Sequence, residues 1–192
     1  YRILLRSDNA DMRLTEKSHI IGLATEERFQ RLQEKKEKIA ALTEFINNFS
    51  IKADLINDGL VELGTTPLTR GCKLAAIIER PQVTIESIAK YINPLKKELD
   101  KIGYDRDEVV EATEVEIKYR GYIDRERELA ERMVRLENIR IKGKLNYNSI
   151  ESLSTEARQK LTAIDPETLA QASRIPGVSP SDINVLLVLM RK

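Results

Sequence analysis

The sequence has almost none of the side chains from which metal centres and nucleophilic active sites are usually built. It contains one cysteine, Cys72, one histidine, His19, and no tryptophan. A lone cysteine excludes a disulfide framework and favours an intracellular protein. One cysteine and one histidine together nearly exclude a zinc site and leave little room for Cys–His or Ser–His–Asp catalysis. The residues by themselves therefore indicate no catalytic centre.

Long apolar runs and phosphate-binding loops are missing as well. No run approaches the ~20 residues that a membrane span needs, and no signal peptide is visible. Neither G-x-G-x-x-G nor G-x-x-x-x-G-K occurs. The 32 Lys and Arg balance the 31 Asp and Glu, so any binding of a polyanion needs a local patch. We expect a cytoplasmic chain that is not catalytic alone and holds no metal and no cofactor.

What dominates the sequence is a helical pattern over about residues 106–138. One stripe steps alternately by four and three residues, the period of a single helix face: Val115, Tyr119, Tyr122, Glu126, Leu129, Met133 and Leu136. Gly121 lies beside this stripe, where Ala would favour the helix by about 1 kcal/mol. Two explanations stay open. A partner comes close at this point, or Gly121 admits a neighbouring helix while Glu126 reaches the surface.

Helix-capping signals recur along the rest of the chain. Residues of the types favoured at helix N-caps precede apolar, helix-compatible segments at Thr25, Thr84, Ser154, Asp165 and Ser179. Residues 1–5 alone suggest a strand end, followed by a turn. The sequence predicts an all-α fold, with two small helical subdomains joined by one long helix. Residues 1–22 are interpreted as the end of a preceding domain, 23–145 as the first subdomain and 146–192 as a small bundle.

Residues 169–187 have a spacing close to that of a DNA-binding helix-turn-helix. The second helix of that motif is apolar on almost every side here, which is typical of a helix that is buried or that docks a partner. DNA binding is therefore not expected. Ser173 and Arg174, in the preceding loop, could hold a phosphate, although Arg174 could equally bind the carbonyls of its own helix.

Four stretches, in the same order, resemble the MnmG/GidA family of tRNA-modifying flavoenzymes. They are YRILLRSDNADMRLT at 1–15, EIKYRGYI at 116–123, LSTE at 153–156 and TLAQASRIPGVSPSDI at 168–183. Together they extend over nearly the whole chain, with the weakest similarity at 51–74. Two positions depart from the family pattern: Ala170, where Gly is usual, and Glu126, where Gln is usual. Individual contacts at those two positions do not carry over.

The resemblance implies an FAD-dependent enzyme as the intact protein. With the GTPase MnmE, such an enzyme adds a carboxymethylaminomethyl group to C5 of the wobble uridine of certain tRNAs. Methylenetetrahydrofolate supplies the carbon and NADH the reducing equivalents. The family's flavin loop and catalytic cysteines lie upstream, and Cys72 matches none of them. The chain starts at Tyr1 without a Met, and we interpret it as a C-terminal fragment of a homodimeric protein.

Within the family, the role implied for such a fragment is docking of tRNA and MnmE. Helix spacing puts Lys118, Tyr122 and Arg125 on one side, where a ring could stack on a base and the cations could contact phosphates. We predict these three residues, with Ser173 and Arg174, as the tRNA-binding set. Tyr119 is predicted to lie in the core.

The apolar final helix is the predicted MnmE-docking element, through Ile183, Leu187 and Met190. Two alternatives remain. This helix could simply close its own small core, or the whole domain could be a structural module that recruits MnmE without touching tRNA.

Overall fold

The computed structural model describes residues 2–190, and within them the fold is all-α as predicted. The helices are α1 (Ala10–Ile20), α2 (Glu26–Asn48), α3 (Asn57–Glu62), α4 (Leu74–Ile78), α5 (Ile85–Ala89), α6 (Asn93–Asp100), α7 (Arg106–Glu137), α8 (Thr155–Ile164), α9 (Leu169–Ser173) and α10 (Pro180–Leu189). Two short strands, β1 (Ser50–Ile51) and β2 (Cys72–Lys73), pair antiparallel with Ser50 opposite Lys73. None of the described helices is long and apolar enough to cross a membrane.

The chain divides into two compact units, Tyr1–Asp124 and Arg125–Lys192. The division falls inside α7, whereas the sequence placed the boundary near residue 145. The long helix itself agrees with the prediction to within one residue at each end.

Most of the predicted caps are present. The side-chain oxygens of Thr25, Thr84, Ser154 and Ser179 each accept a hydrogen bond from a backbone N–H in the first turn of the following helix. The prediction for Asp165 is wrong: this residue ends α8 in the left-handed region, at φ 43°, a conformation that Asp tolerates better than most side chains. Thr168 caps α9 instead.

The predicted strand near the N-terminus is also not observed. Residues 2–5 form a turn, in which the backbone N–H of Leu5 donates to the carbonyl of Arg2 over 3.2 Å. Tyr1 lies outside the described residues.

The core of the first unit forms around α2. Leu32, Ile39, Leu42 and Ile46 of α2 are all buried, and α2 contacts α1, α4 and α6. Their helical spacing gives α2 one continuous apolar face, which the isoleucine- and leucine-rich short helices cover.

Two lysines of α2 bind carboxylates on other elements. The ammonium of Lys35 lies 2.8 Å from Asp11 of α1 and 2.9 Å from Glu108 of α7. Lys38 lies 2.7 Å from the buried carboxylate of Asp105, just before α7. Burial by itself lowers the pKa of Lys35, but the hydrogen bonds to Asp11 and Glu108 outweigh it and raise the pKa above its ordinary value. Lys35 therefore stays charged and joins three helices.

In the second unit, the end of α7 packs with α8, α9 and α10 through Leu136, Leu161, Leu169 and Leu186. The segment 139–141 is held by an isolated bridge between Arg140 and Thr168.

Asp182 connects the starts of two helices in this unit. Its carboxylate accepts hydrogen bonds from the backbone N–H and the hydroxyl of Ser154, at 2.8 and 3.2 Å, and of Ser179, at 2.9 and 2.6 Å. Burial by itself raises the pKa of Asp182, but these donated bonds outweigh it and hold the pKa below its ordinary value. One buried carboxylate thus fixes the N-termini of α8 and α10 together.

Replacing Lys35 by Met should lower the free energy of unfolding of the first unit by about 1–2 kcal/mol. The cost stays below that of breaking a fully buried pair, because water can reach Asp11 and Glu108. Lys36→Met is the matched control, since Lys36 pairs at 3.2 Å with the exposed Glu16, and it should cost less than about 0.5 kcal/mol. Urea denaturation measures both. Equal effects of the two substitutions would contradict the role given to Lys35.

Asp182→Asn should destabilise the second unit by about 2–3 kcal/mol at neutral pH, because an amide nitrogen then faces hydrogen-bond donors. A depressed pKa stabilises the fold above the unfolded value of about 3.9, and this contribution is lost as the pH falls through the folded value. The difference between wild type and variant should therefore shrink below about pH 3.9. Amide hydrogen exchange in α8 and α10 measures it. Glu151→Gln, which removes an exposed carboxylate, is the control, and a pH-independent difference would refute the assignment.

Candidate functional site

The apolar stripe predicted on α7 is exposed in its middle. Tyr119 is 47% exposed and Tyr122 60% exposed, so the prediction that Tyr119 lies in the core is wrong. In the first unit, α7 buries a different face, formed by Val109, Thr113 and Ile117. Both stripes have helical spacing, and the spacing alone does not show which one the rest of the unit covers.

Gly121 does not admit a neighbouring helix. A Cβ built on this residue meets nothing within 4 Å among the described residues. The rings of Tyr119 and Tyr122 lie next to each other on α7, with centroids 6.5 Å apart and planes at 53°. The middle of α7 thus has an open surface at Gly121 and two exposed rings close by in sequence.

Lys118, predicted to bind phosphate, is already paired. Its side chain is 17% exposed, and its ammonium lies 2.8 Å from an oxygen of Glu114, one helical turn earlier. The other oxygen of Glu114 accepts a hydrogen bond of 2.9 Å from the backbone N–H of Ile85, at the start of α5. The Lys118–Glu114 pair therefore has a structural role.

The other predicted cations lie in the second unit. Arg125 is exposed, and its side chain makes no hydrogen bond or ion pair with residues 2–190. Arg174 is exposed but paired with Glu137. The hydroxyl of Ser173 donates to the carbonyl of Ala170 at 2.8 Å. Of these three, Arg125 is the one available to a phosphate without breaking a contact.

The final helix α10 closes its own core. Ile183 is buried, and Leu187 and Met190 are partly buried against the same cluster. Ile183 therefore cannot serve as a docking surface in this conformation, which corrects its predicted role. Val188, on the opposite side of α10, is 61% exposed. Val188 is not among the predicted docking residues, although its offset of five residues from Ile183 sets it apart from that face.

Carboxylates surround Lys118. A groove of about 570 Å³ in the first unit has the following lining: Thr84, Glu86, Asp107, Val110, Glu111, Glu114, Val115, Lys118 and Tyr119. Four acidic side chains and one lysine make this groove unfavourable for a phosphate. The sequence already indicated an acidic face on this helix, because Asp107, Glu111 and Glu114 follow helical spacing.

Within the described residues, no group of three or more His, Cys, Asp or Glu side chains is placed to hold a metal ion. The arrangement offers exposed aromatic rings, an unpaired guanidinium and an acidic groove. These are features of a binding surface.

Comparison with known proteins gives consistent matches over the whole chain. Residues 26–127 match the family "tRNA modifying enzyme MnmG/GidA C-terminal helical domain". Residues 129–192 match "tRNA modifying enzyme MnmG/GidA C-terminal helical bundle". The change from one family to the next falls close to the division between the two compact units.

Individual relatives agree. The chain is 62% identical over 190 residues to a Bacteroides fragilis protein named tRNA uridine 5-carboxymethylaminomethyl modification enzyme MnmG, covering 98% of the chain and 30% of the relative. The protein of that name from Porphyromonas gingivalis is 51% identical, with the same coverage. The crystal structure of Aquifex aeolicus GidA, form II, is 30% identical with a TM-score of 0.58, and the match covers 97% of the chain and 28% of that structure. The chain thus spans about 30% of the length of these relatives. It belongs to the MnmG/GidA family of tRNA-modifying enzymes and corresponds to the family's C-terminal helical domain and helical bundle.

Proposed function

We propose that this chain is the tRNA- and partner-docking part of an enzyme that adds a carboxymethylaminomethyl group to C5 of the wobble uridine of certain tRNAs. The names of its relatives support the reaction class. Since the chain spans about 30% of their length, we assign the chemistry to the rest of the intact protein. FAD, NADH and methylenetetrahydrofolate act there, in a cytoplasmic homodimer that works with the GTPase MnmE.

The observation that carries the tRNA role is the open ring of Tyr122, in the middle of α7. Proteins commonly grip single-stranded RNA by stacking unpaired bases on exposed aromatic rings with cations nearby. Such stacking contributes about 1–3 kcal/mol per base. Tyr119 presents a second ring beside the first, so the surface can accept a loop nucleotide without a rearrangement of the core.

The predicted cations differ in whether they are free to bind a phosphate. Arg125 has no described side-chain partner, so it can bind a phosphate at no cost in broken contacts. Lys118 and Arg174 must first leave Glu114 and Glu137. We therefore place Tyr122 and Arg125 first among the tRNA contacts, and Lys118, Ser173 and Arg174 second.

Combining Tyr122→Ala with Arg125→Ala should weaken binding of a wobble-uridine tRNA by about tenfold or more, from the loss of a stacking surface and a phosphate contact. Tyr122→Phe with Arg125 intact should keep most of the affinity, because the ring remains. Lys118→Ala should change it by less than about threefold, since Lys118 is held by Glu114 and is not free to bind a phosphate. Fluorescence anisotropy at two salt concentrations measures these affinities. Wild-type affinity of the double variant would remove both residues from the interface.

A second candidate function, recruitment of MnmE without contact to tRNA, is favoured by α10. Its Val188 is a large apolar side chain exposed at the surface. Leu187 and Met190 remain partly exposed at the edge of the core. Exposed apolar side chains beside a packed core are common at docking surfaces.

Val188→Asp should reduce capture of MnmE by about tenfold and leave tRNA affinity unchanged, because the substitution places a charge at the centre of an apolar contact. Ser181→Asp, also exposed on α10, is the control and should change neither. Pull-down with purified MnmE measures capture, and circular dichroism verifies folding. Full capture of MnmE by Val188→Asp would exclude this side of α10.

A further inference from the structure

We propose that the acidic groove of the first unit is a docking site for a basic, amphipathic segment of a partner protein. The groove is the 570 Å³ depression beside the N-terminal half of α7. This proposal goes beyond the tRNA and MnmE roles, because it concerns a different recognition chemistry. The groove shares Lys118 and Tyr119 with the proposed tRNA surface, whereas its acidic edge, Asp107 and Glu111, has no part in that role.

The groove has an apolar side and an acidic side. Val115, which is partly buried, and Tyr119, which is 47% exposed, supply the apolar surface above the buried Val110. Asp107 and Glu111 are exposed and stand one turn apart on the same helix. Residues at this spacing point in nearly the same direction, so the two carboxylates form one edge of the groove.

These two carboxylates are not compensated within the unit. Glu86 pairs with Arg106 at 2.9 Å, and Glu114 pairs with Lys118 at 2.8 Å. The side chains of Asp107 and Glu111 have no hydrogen bond or ion pair with any described residue. The helix dipole explains an acidic residue at position 107, because a carboxylate in the first turn of a helix interacts favourably with the dipole. Glu111 lies beyond that turn, so the dipole does not account for it.

Glu111 also borders a second depression of about 370 Å³, together with Asp8, Asp11 and Glu108. There Asp8 is paired with Arg6 at 3.0 Å, and Lys35 is held by Asp11 and Glu108. Glu111 is therefore the carboxylate of this depression that has no described partner. Together with Asp107 it gives this stretch of α7 uncompensated negative charge, which attracts cationic groups and repels phosphates.

Charge complementarity selects the occupant. RNA would bring phosphates next to Asp107 and Glu111, and the repulsion would be strong in a partly dehydrated groove. A protein helix with apolar residues on one face and Lys or Arg beside them satisfies both sides of the groove. Its apolar face covers Val115 and Tyr119, and its cations meet the two free carboxylates.

The test measures binding of a fluorescein-labelled peptide to the 192-residue chain. The peptide has about 15 residues of Leu and Lys at helical spacing, long enough to form a helix on binding. Asp107→Lys with Glu111→Lys should weaken binding by about tenfold or more, because attraction becomes repulsion. Asp107→Asn with Glu111→Gln should give an intermediate loss. Glu116→Lys with Glu128→Lys, at exposed sites of α7 that do not line the groove, makes the same change in net charge and should leave affinity within about twofold.

Tyr119→Ser should also lower the affinity for the peptide, since the leucines of the peptide lose their contact with the ring. Added salt should lower the affinity of the wild-type chain. Equal loss of affinity in the groove and control pairs would mean non-specific attraction and would overturn the proposal. Amide chemical shifts of Asp107 and Glu111, which lie outside the proposed tRNA contacts, provide a second readout. If an anticodon stem-loop perturbs these amides and the peptide does not, the groove is an RNA surface and the proposal is wrong.

Discussion

The ammonium group of Lys35 holds the first unit in register. It lies within 2.9 Å of carboxylates from α1 and α7, so one side chain of α2 fixes the positions of two other helices. An apolar face alone is non-directional and would allow these helices to slide or rotate. A charge removed from water must find its counter-charges, which makes the arrangement specific even where it adds little stability. The orientation of α7 that brings Glu108 to Lys35 is also the one that leaves Tyr119 and Tyr122 exposed.

In the second unit, too, a buried charged group fixes the positions of helices, but here the charge is negative. Asp182 is a buried carboxylate, and its partners are hydroxyl and backbone N–H groups of Ser154 and Ser179. Each of those serines caps a helix, so the four donated bonds join two helix starts that have little apolar surface of their own. Small bundles have limited cores, and a satisfied polar cluster of this kind compensates by specifying one arrangement. Ile183 follows directly after Asp182, which is why α10 turns that face inward.

Local signals in the sequence predicted local structure well. Thr25, Thr84, Ser154 and Ser179 act on backbone groups within their own helix turn, so their residue types and positions suffice. Asp165 shows the limit, because the same side chain can begin a helix or end one, and the chain around it decides. The face of α7 that is buried could not be predicted, since both Val109–Thr113–Ile117 and Val115–Tyr119–Tyr122 have helical spacing. That choice depends on tertiary contacts with residues distant in sequence, such as the contact of Glu108 with Lys35 and the packing of Val109 and Ile117 in the core.

The surface of α7 shows that the type of a charged side chain predicts binding less well than whether neighbouring charges already neutralise it. Lys118 has the residue type expected of a phosphate ligand, yet Glu114 neutralises it and carboxylates line the groove around it. The surplus in that groove is negative, carried by Asp107 and Glu111. The side chain of Arg125 makes no hydrogen bond or ion pair with a described residue. A polyanion is drawn to uncompensated positive charge and a basic peptide to uncompensated negative charge. A single helix can therefore present surfaces for two chemically different partners, provided that its ion pairs are closed in one stretch and open in another.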